Sequence, residues 1–293
     1  MASDPVRQKT QFEEDGFVII PGLISPEDFP RLEQASADVI SRTREGSWPH
    51  RRTVGKQFPP YDAKNPDSWG VQHVMHPDLG QPAFAQWYTS TALINAVQNL
   101  LGCDDQLQME LFNLLINPVS HNFALRWHRD DIGGDATEAE ERRALDAWKP
   151  YGIQWNTALY EDSCLFVVPG SHKVPRTPEQ RIHSEGPDAP ADPLDMPGAI
   201  RVSLRPGESV FYNSNILHCA AYDAQAPRAT LHATMGNTTG GSVRARNILQ
   251  HGLSWMKEAQ FRDGLDPRGK DMLGRLLELY NATGDDVGYS LTG

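Results

Sequence analysis

Cysteine is scarce and scattered: Cys103, Cys164 and Cys219 are the three in 293 residues. An odd, widely spaced set argues against a disulfide framework or a zinc cluster, and it better fits thiols kept reduced in a cytoplasm. Long apolar runs are missing as well. No stretch approaches the roughly 18 apolar residues of a membrane span, and "MASDPVRQKT" has no apolar segment behind its charges, so neither an anchor nor a secretory leader is expected. Positive charge is in short supply. The 27 Lys and Arg against 38 Asp and Glu give a formal net charge of −11, which argues against nucleic acid or an anionic membrane as partner, because phosphates demand clustered cations. A small-molecule partner and a cytoplasmic location are the expectations that remain, and the oligomeric state is left open.

There is no internal repeat and no linker-like shift in composition. One domain over 1–293 is therefore expected, with N-terminal helices over about 1–105, a β core over about 106–240 and a helical tail over about 250–293. In "QFEEDGFVIIPGLI", Gly16 ends a helix, Phe17 to Ile20 form a short buried strand, and Pro21-Gly22 turns the chain. Ser25, followed by Pro26, Glu27 and Asp28, reads as the N-cap of a helix running to about Ser41. Residues 45–70 read as an ordered loop carrying one basic cluster, "HRRTVGK". Apolar residues near helical spacing predict a helix over 81–101.

From Leu107 the period changes to that of strands: 107–117, 123–130, 152–160, 164–172, 199–204, 209–218 and 229–237. Many short strands between Pro and Gly turns predict a mainly β fold, a sandwich or barrel with helices packed outside it. Two insertions interrupt it. Thr137 and Glu140 have capping-box spacing and start a helix with Ala144, Leu145 and Trp148 as its packed stripe, and 173–198 is a proline-rich shaped loop.

Chemistry concentrates in "RWHRDDIGG". On a strand, residues i and i+2 project from one face, so His128 and Asp130 would point at one spot. A third nitrogen, for which His218 at the end of the 209–218 strand is the candidate, would complete a two-histidine, one-carboxylate face and leave three metal positions open. Arg228 and Thr230 share a strand face and could grip a carboxylate. Taken singly, each of these residues also has a plain structural reading, as a packed histidine, a surface ion pair or an ordinary strand threonine.

Five ordered elements together carry a resemblance: "EEDGFVIIPGLISPED", "HRD", "CLFVVPGSH", "LRPGESVFYNSNILH" and "RAT". Between about residues 10 and 245 the chain resembles the phytanoyl-CoA dioxygenase-like branch of the Fe(II)- and 2-oxoglutarate-dependent oxygenases. The resemblance implies a double-stranded β-helix, a jelly roll of the cupin kind. It implies iron held by His128, Asp130 and His218, and 2-oxoglutarate held at its distal carboxylate by Arg228 and Thr230, with dioxygen as the other cosubstrate. The activity implied is hydroxylation, desaturation or cyclisation of a small organic molecule, as in specialised metabolism, with release of succinate and carbon dioxide. The intact Asp130 favours this over halogenation, where relatives carry a small residue. Relatives often show a Glu-Asn-Gly turn where this chain has "EDSC" at 161–164, so the shape of that turn is open.

Asn113 falls where relatives place a polar 2-oxoglutarate contact, and a hydrogen bond to a neighbouring loop would equally explain it. His232 and Thr234 share the Arg228 face, Trp155 reads as core, Cys219 should point away from His218, and His73 and His76 read as a solvated loop. The 45–76 segment, with Trp48, Phe58, Tyr61 and Trp69 beside His50, Arg51, Arg52 and Lys56, and the insertions at 132–150 and 173–198 are expected to line the substrate mouth. The competing class is a non-catalytic or differently metallated β-helix binding protein, which has no need to keep the three ligands and the clamp together.

Overall fold

Two antiparallel sheets face each other in the computed structural model, which describes residues 4–57, 60–62, 64–186, 188–241, 244, 248 and 253–283. The larger contains β1 (Phe17–Pro21), β2 (Arg51–Thr53), β3 (Ser68–Val71), β4 (Leu107–Ile116), β6 (Gly152–Ala158), β9 (Glu208–Tyr212) and β11 (Ala229–Asn237), in the order β1-β9-β6-β11-β4-β3-β2. The smaller contains β5 (Phe123–Ala124), β7 (Leu165–Val168), β8 (Ile200–Arg201) and β10 (Leu217–Tyr222), in the order β5-β10-β7-β8. This is a jelly-roll core with flanking helices.

Strand alternation gives the large sheet two different faces. Its outer face, with Phe112, Leu114, Trp155, Phe211, Leu231 and Ala233, joins the main apolar core with α1 (Pro5–Asp15), α2 (Asp28–Arg44), α3 (Pro82–Tyr88), α4 (Thr91–Leu101) and the helix Pro267–Thr283. On the inner face, Val210 and Tyr212 meet Leu165 and Val167 of the smaller sheet, while Trp69 and Leu115 meet Ala220 and Tyr222 near one end. Between these apolar clusters the inner face carries Asn113, Gln154, Asn156, Thr230, His232 and Thr234, which are cross-strand neighbours on β4, β11 and β6. Such a polar interior is costly unless every group is bonded, so it marks a pocket rather than a packed core.

The structure departs from the sequence expectations at several joints. Region 1–105 supplies three strands to the large sheet besides its helices, and two of them, β2 and β3, arise from the segment read as a loop. Ser25 Oγ does accept the Asp28 amide at 3.1 Å, but the helix begins only at Asp28. The helix expected over 81–101 is two, broken at Thr89-Ser90, where the Ser90 hydroxyl accepts the Leu93 amide and caps α4. The strand expected over 209–218 is also two, in different sheets: Asn213 Oδ1 accepts the Asn215 amide at 2.8 Å and turns the chain between β9 and β10. His218 therefore opens a strand rather than ending one. In α5 (Glu138–Ala147) the capping box of Thr137 and Glu140 forms, but the buried positions are Glu141 and Leu145, and Ala144 is exposed. Among the described residues no helix is long and apolar enough to cross a membrane.

Candidate metal centre and cosubstrate pocket

The three residues of the expected ligand set are brought together. β5 ends at Ala124, and beyond it His128 pairs with His218 of β10 by two backbone bonds, His128 N to His218 O at 3.0 Å and His218 N to His128 O at 3.1 Å. The Asp130 amide then donates to Ser214 O at 2.9 Å. Backbone pairing thus fixes the separation of two chain segments that are ninety residues apart. One ligand atom from each of His128, Asp130 and His218 can be chosen so that all lie within 4.8 Å of one another.

Each imidazole is held in the tautomer that a metal requires. His128 Nδ1 lies 2.9 Å from Arg126 O and His218 Nδ1 lies 2.9 Å from Ile216 O. A carbonyl only accepts, so both Nδ1 atoms carry the proton and both Nε2 lone pairs are left for coordination. Those Nε2 atoms lie 3.4 and 3.7 Å from the same oxygen, Asp130 Oδ1. The other carboxylate oxygen accepts from Gln154 Nε2, which fixes its plane. Burial by itself would raise the Asp130 carboxyl, but the facing histidines and Gln154 outweigh it and hold the group well below the usual range. Burial lowers His218 to about 4, with His128 adding to the effect. The donor set is one carboxylate and two imidazoles whose Nε2 atoms face it, the chemistry of a non-haem iron site. Cys219 points away, into the apolar cluster with Trp127 and Phe166.

The other half of the pocket is built on Arg228, which is buried. Its Nε donates to Asp162 Oδ2 at 2.9 Å, and the Thr230 hydroxyl donates to the same oxygen. The guanidinium stacks on Tyr222, its carbon 4.5 Å from the ring centre. Nη1 is buried with no hydrogen-bond partner among the described residues. An orphaned guanidinium donor inside a polar pocket fits an acceptor from a bound molecule, and a carboxylate is its best match. Asp162 belongs to the "EDSC" turn: its other oxygen accepts the Cys164 amide at 2.9 Å, and a carboxylate, where relatives often have an amide, now pairs with the arginine.

Between the two halves lies His232, whose Nδ1 is 2.8 Å from Asn156 Oδ1 and whose pKa is lowered to about 3, chiefly by burial and then by the Arg52 charge. Asn113 Oδ1 accepts the amide of His73 at 3.0 Å, so the loop contact weighed in the sequence is the one present. His73 and His76 are not a solvated loop. They pack into a cluster with His50, Trp48 and Trp255, ring centres 5.0 to 6.2 Å apart, some pairs edge-on and His50 stacked on His76. Trp48 belongs to the helix-side core and not to the pocket, while Trp69, with Tyr61 against it, closes the end of the inner face. Phe58 lies outside the described residues.

The two insertions are knotted together beneath the metal loop. Glu141 is fully buried and accepts from Arg129 Nε at 3.2 Å, Arg176 Nε at 2.8 Å and Arg181 Nη2. Arg129 is the residue between His128 and Asp130. Sequence reasoning missed Glu141, Asp162, Gln154 and Asn156, and placed Arg52 only in the basic cluster at the substrate mouth. A signal existed for two of them: once Trp155 is read as core, period-two alternation puts Gln154 and Asn156 on the pocket side.

The phytanoyl-CoA dioxygenase family model matches residues 12–224. The chain belongs to the phytanoyl-CoA dioxygenase family. Among solved structures this family member is similar to AviO1 from Streptomyces viridochromogenes Tue57, at 16% identity over 81% of this chain and 97% of that one, TM-score 0.58. It is also similar to EctD from S. alaskensis, determined with bound Fe, at 17% identity over 82% and 80% of the two chains, TM-score 0.57. A third is SnoN, a non-haem α-ketoglutarate-dependent epimerase from nogalamycin biosynthesis, at 18% identity over 80% and 83%, TM-score 0.53. At these identities the likeness is one of fold. A sequence search of curated proteins finds no match.

Proposed function

We propose that this phytanoyl-CoA dioxygenase family member is an Fe(II)- and 2-oxoglutarate-dependent oxygenase acting on a small organic molecule, with His128, Asp130 and His218 as iron ligands. The observation that carries the reading is the pairing, in one pocket, of a tautomer-fixed two-histidine, one-carboxylate face with a buried guanidinium whose Nη1 lacks an acceptor among the described residues. A binding module would not need both. Three protein ligands leave three positions for a chelating 2-oxo acid and dioxygen. Iron, once bound, supplies oxidative decarboxylation of the 2-oxo acid and with it the oxidant for an unactivated C–H bond.

The chain's own residues position the reactants. The Arg126 and Ile216 carbonyls keep the imidazole lone pairs aimed inward, and Gln154 keeps one Asp130 oxygen on the metal side. Arg228 orients the cosubstrate's distal carboxylate, Thr230, whose one hydroxyl proton goes to Asp162, holds the Arg228–Asp162 pair in place, and His232, neutral and tied to Asn156, flanks the cosubstrate's path without adding a charge. The comparisons support the substrate class: an EctD structure holds 2-oxoglutarate with 5-hydroxyectoine, and a SnoN structure holds Fe3+, α-ketoglutarate and nogalamycin RO. The test is a panel of small molecules offered to the Fe(II)-loaded protein with 2-oxoglutarate in air. Succinate formation stimulated by at least one compound, and abolished by His128→Ala, is expected; no stimulation by any compound class, with iron fully loaded, would favour the binding-protein reading.

A further inference from the structure

The charges at the clamp do not balance in the way the sequence suggests. Asp162 already neutralises Arg228, by the Nε bond at 2.9 Å and a bond from Thr230 that completes a closed triangle. A dianionic cosubstrate whose first carboxylate goes to the metal would bring its second to a site with no net charge.

A second cation is at hand. Arg52 on β2 lies opposite Gly70 on β3, Gly70 opposite Leu115 on β4, and Leu115 opposite Thr230 on β11. Residues directly opposite in antiparallel strands project from the same face, so Arg52 and Thr230 share the inner face of the large sheet. Gly70 makes the reach feasible: a Cβ there would stand 3.0 Å from Arg52 Cδ, so the arginine stem lies across the bare glycine backbone. The Arg52 guanidinium carbon is 5.0 Å from the Trp69 ring centre, that of Arg228 is 4.5 Å from the Tyr222 ring centre, and the two rings are themselves 5.5 Å apart. Each guanidinium therefore sits on one ring of a touching aromatic pair that meets edge to face at 61°. Arg52 Nε is buried without a partner, as is Arg228 Nη1, and Arg52 forms no ion pair among the described residues. Its charge is felt across the pocket by His232, Tyr212 and Tyr222.

We infer that Arg52 is the charge partner of the distal carboxylate of 2-oxoglutarate, with Arg228 held as a neutral Asp162 pair that donates a hydrogen bond and sets direction. This rests on the oxygenase reading and reassigns the clamp within it. Asp162 and Arg52 then form a compensating set: the extra anion in the "EDSC" turn is offset by an extra cation from the 45–70 segment.

The experiment is anaerobic binding to the Fe(II)-loaded protein, followed by the visible charge-transfer band of the chelate. The probes are 2-oxoglutarate and 2-oxovalerate, which keeps the chelating end and five carbons but lacks the distal carboxylate. Arg52→Gln should weaken 2-oxoglutarate by roughly 10- to 100-fold, as expected for losing a charged hydrogen-bond partner, and leave 2-oxovalerate unchanged. Arg52→Lys, which keeps the charge, should lose less. Adding Asp162→Asn to Arg52→Gln should recover about tenfold or more, because it frees the Arg228 charge. Unchanged 2-oxoglutarate affinity in Arg52→Gln, equal losses for both acids, or no recovery in the double variant would each overturn the assignment. Failure of the wild-type protein to bind 2-oxoglutarate would instead remove the oxygenase reading itself.

Discussion

Replacing Glu141 with alanine removes a carboxylate that three arginines share. Glu141 has no solvent exposure, its two oxygens accept from Arg129, Arg181 and both the side chain and the amide of Arg176, and the Arg129 and Arg176 side chains are almost wholly buried. Breaking a buried ion pair by removing one partner costs about 3–5 kcal/mol, because the remaining charge stays desolvated. Two features pull in opposite directions here. One anion serves three cations, which raises the loss. Arg129 also donates to the carbonyls of Ser171, Val174 and Asn215, and Arg176 to Ser184 Oγ and Ala136 O, which keep part of their solvation. A value of about 4 kcal/mol follows, and at about 2–4 °C per kcal/mol for a chain of this size the melting temperature should fall by roughly 8–16 °C. Thermal unfolding followed by circular dichroism measures it. Because the knot pins 132–150 and 173–198 to Arg129 between two of the proposed ligands, iron affinity should fall in the same variant. A melting temperature within 2 °C of wild type would refute the reasoning, since it would mean that the arginines find water or other anions without cost.

Acid stability should report His232: its folded pKa of about 3 lies below the unfolded value of about 6.5, so in between the unfolded chain binds one more proton and stability falls as pH drops through that window. His232→Gln, measured by urea unfolding of the metal-free protein at pH 7 and pH 4.5, should show a shallower slope by up to about 1.4 kcal/mol per pH unit, and an unchanged slope would contradict the buried neutral state. Gly16→Ala should destabilise by about 1–3 kcal/mol, because Gly16 has φ of +80° and the added Cβ would collide with His172 Nδ1; chemical denaturation measures this, and a neutral result would show that neither the backbone strain nor the clash is felt. Gln154→Ala should leave the fold intact yet weaken iron binding several-fold in a chelator competition, since it frees the Asp130 carboxylate to rotate, and equal affinities would assign Gln154 no orienting role.

The parts of the molecule legible in the sequence are those encoded by local pattern. Period-two alternation in 107–117, 152–160 and 229–237 marks three adjacent strands of the large sheet, and Thr137 with Glu140 marks the start of α5. His128 and Asp130 stand out because their spacing is itself chemical, although most of the strand expected to present them is irregular backbone held by pairing to His218 and Ser214. What stayed hidden depends on partners distant in sequence. Nothing near Asp162 announces Arg228 sixty-six residues later, and Glu141 draws its arginines from two separate segments, the metal loop and the 173–198 insertion. Arg52 was visible only as part of a basic cluster, since its place on the inner face follows from three successive strand registers. The split at Asn213–Ile216 was hidden for a different reason: apolar pairs flank it on both sides with no glycine or proline, and the Asn side chain makes the turn instead.

The proposed iron site is tested most directly by anaerobic titration of the metal-free protein with Fe(II) in the presence of 2-oxoglutarate, read by the visible charge-transfer absorption of the chelate. With His128, Asp130 and His218 as ligands, one equivalent of iron should saturate the band, the band should require 2-oxoglutarate, and Asp130→Ala should bind the metal weakly or not at all. Full iron loading without any such band, or a band that survives in Asp130→Ala and His218→Ala alike, would contradict it.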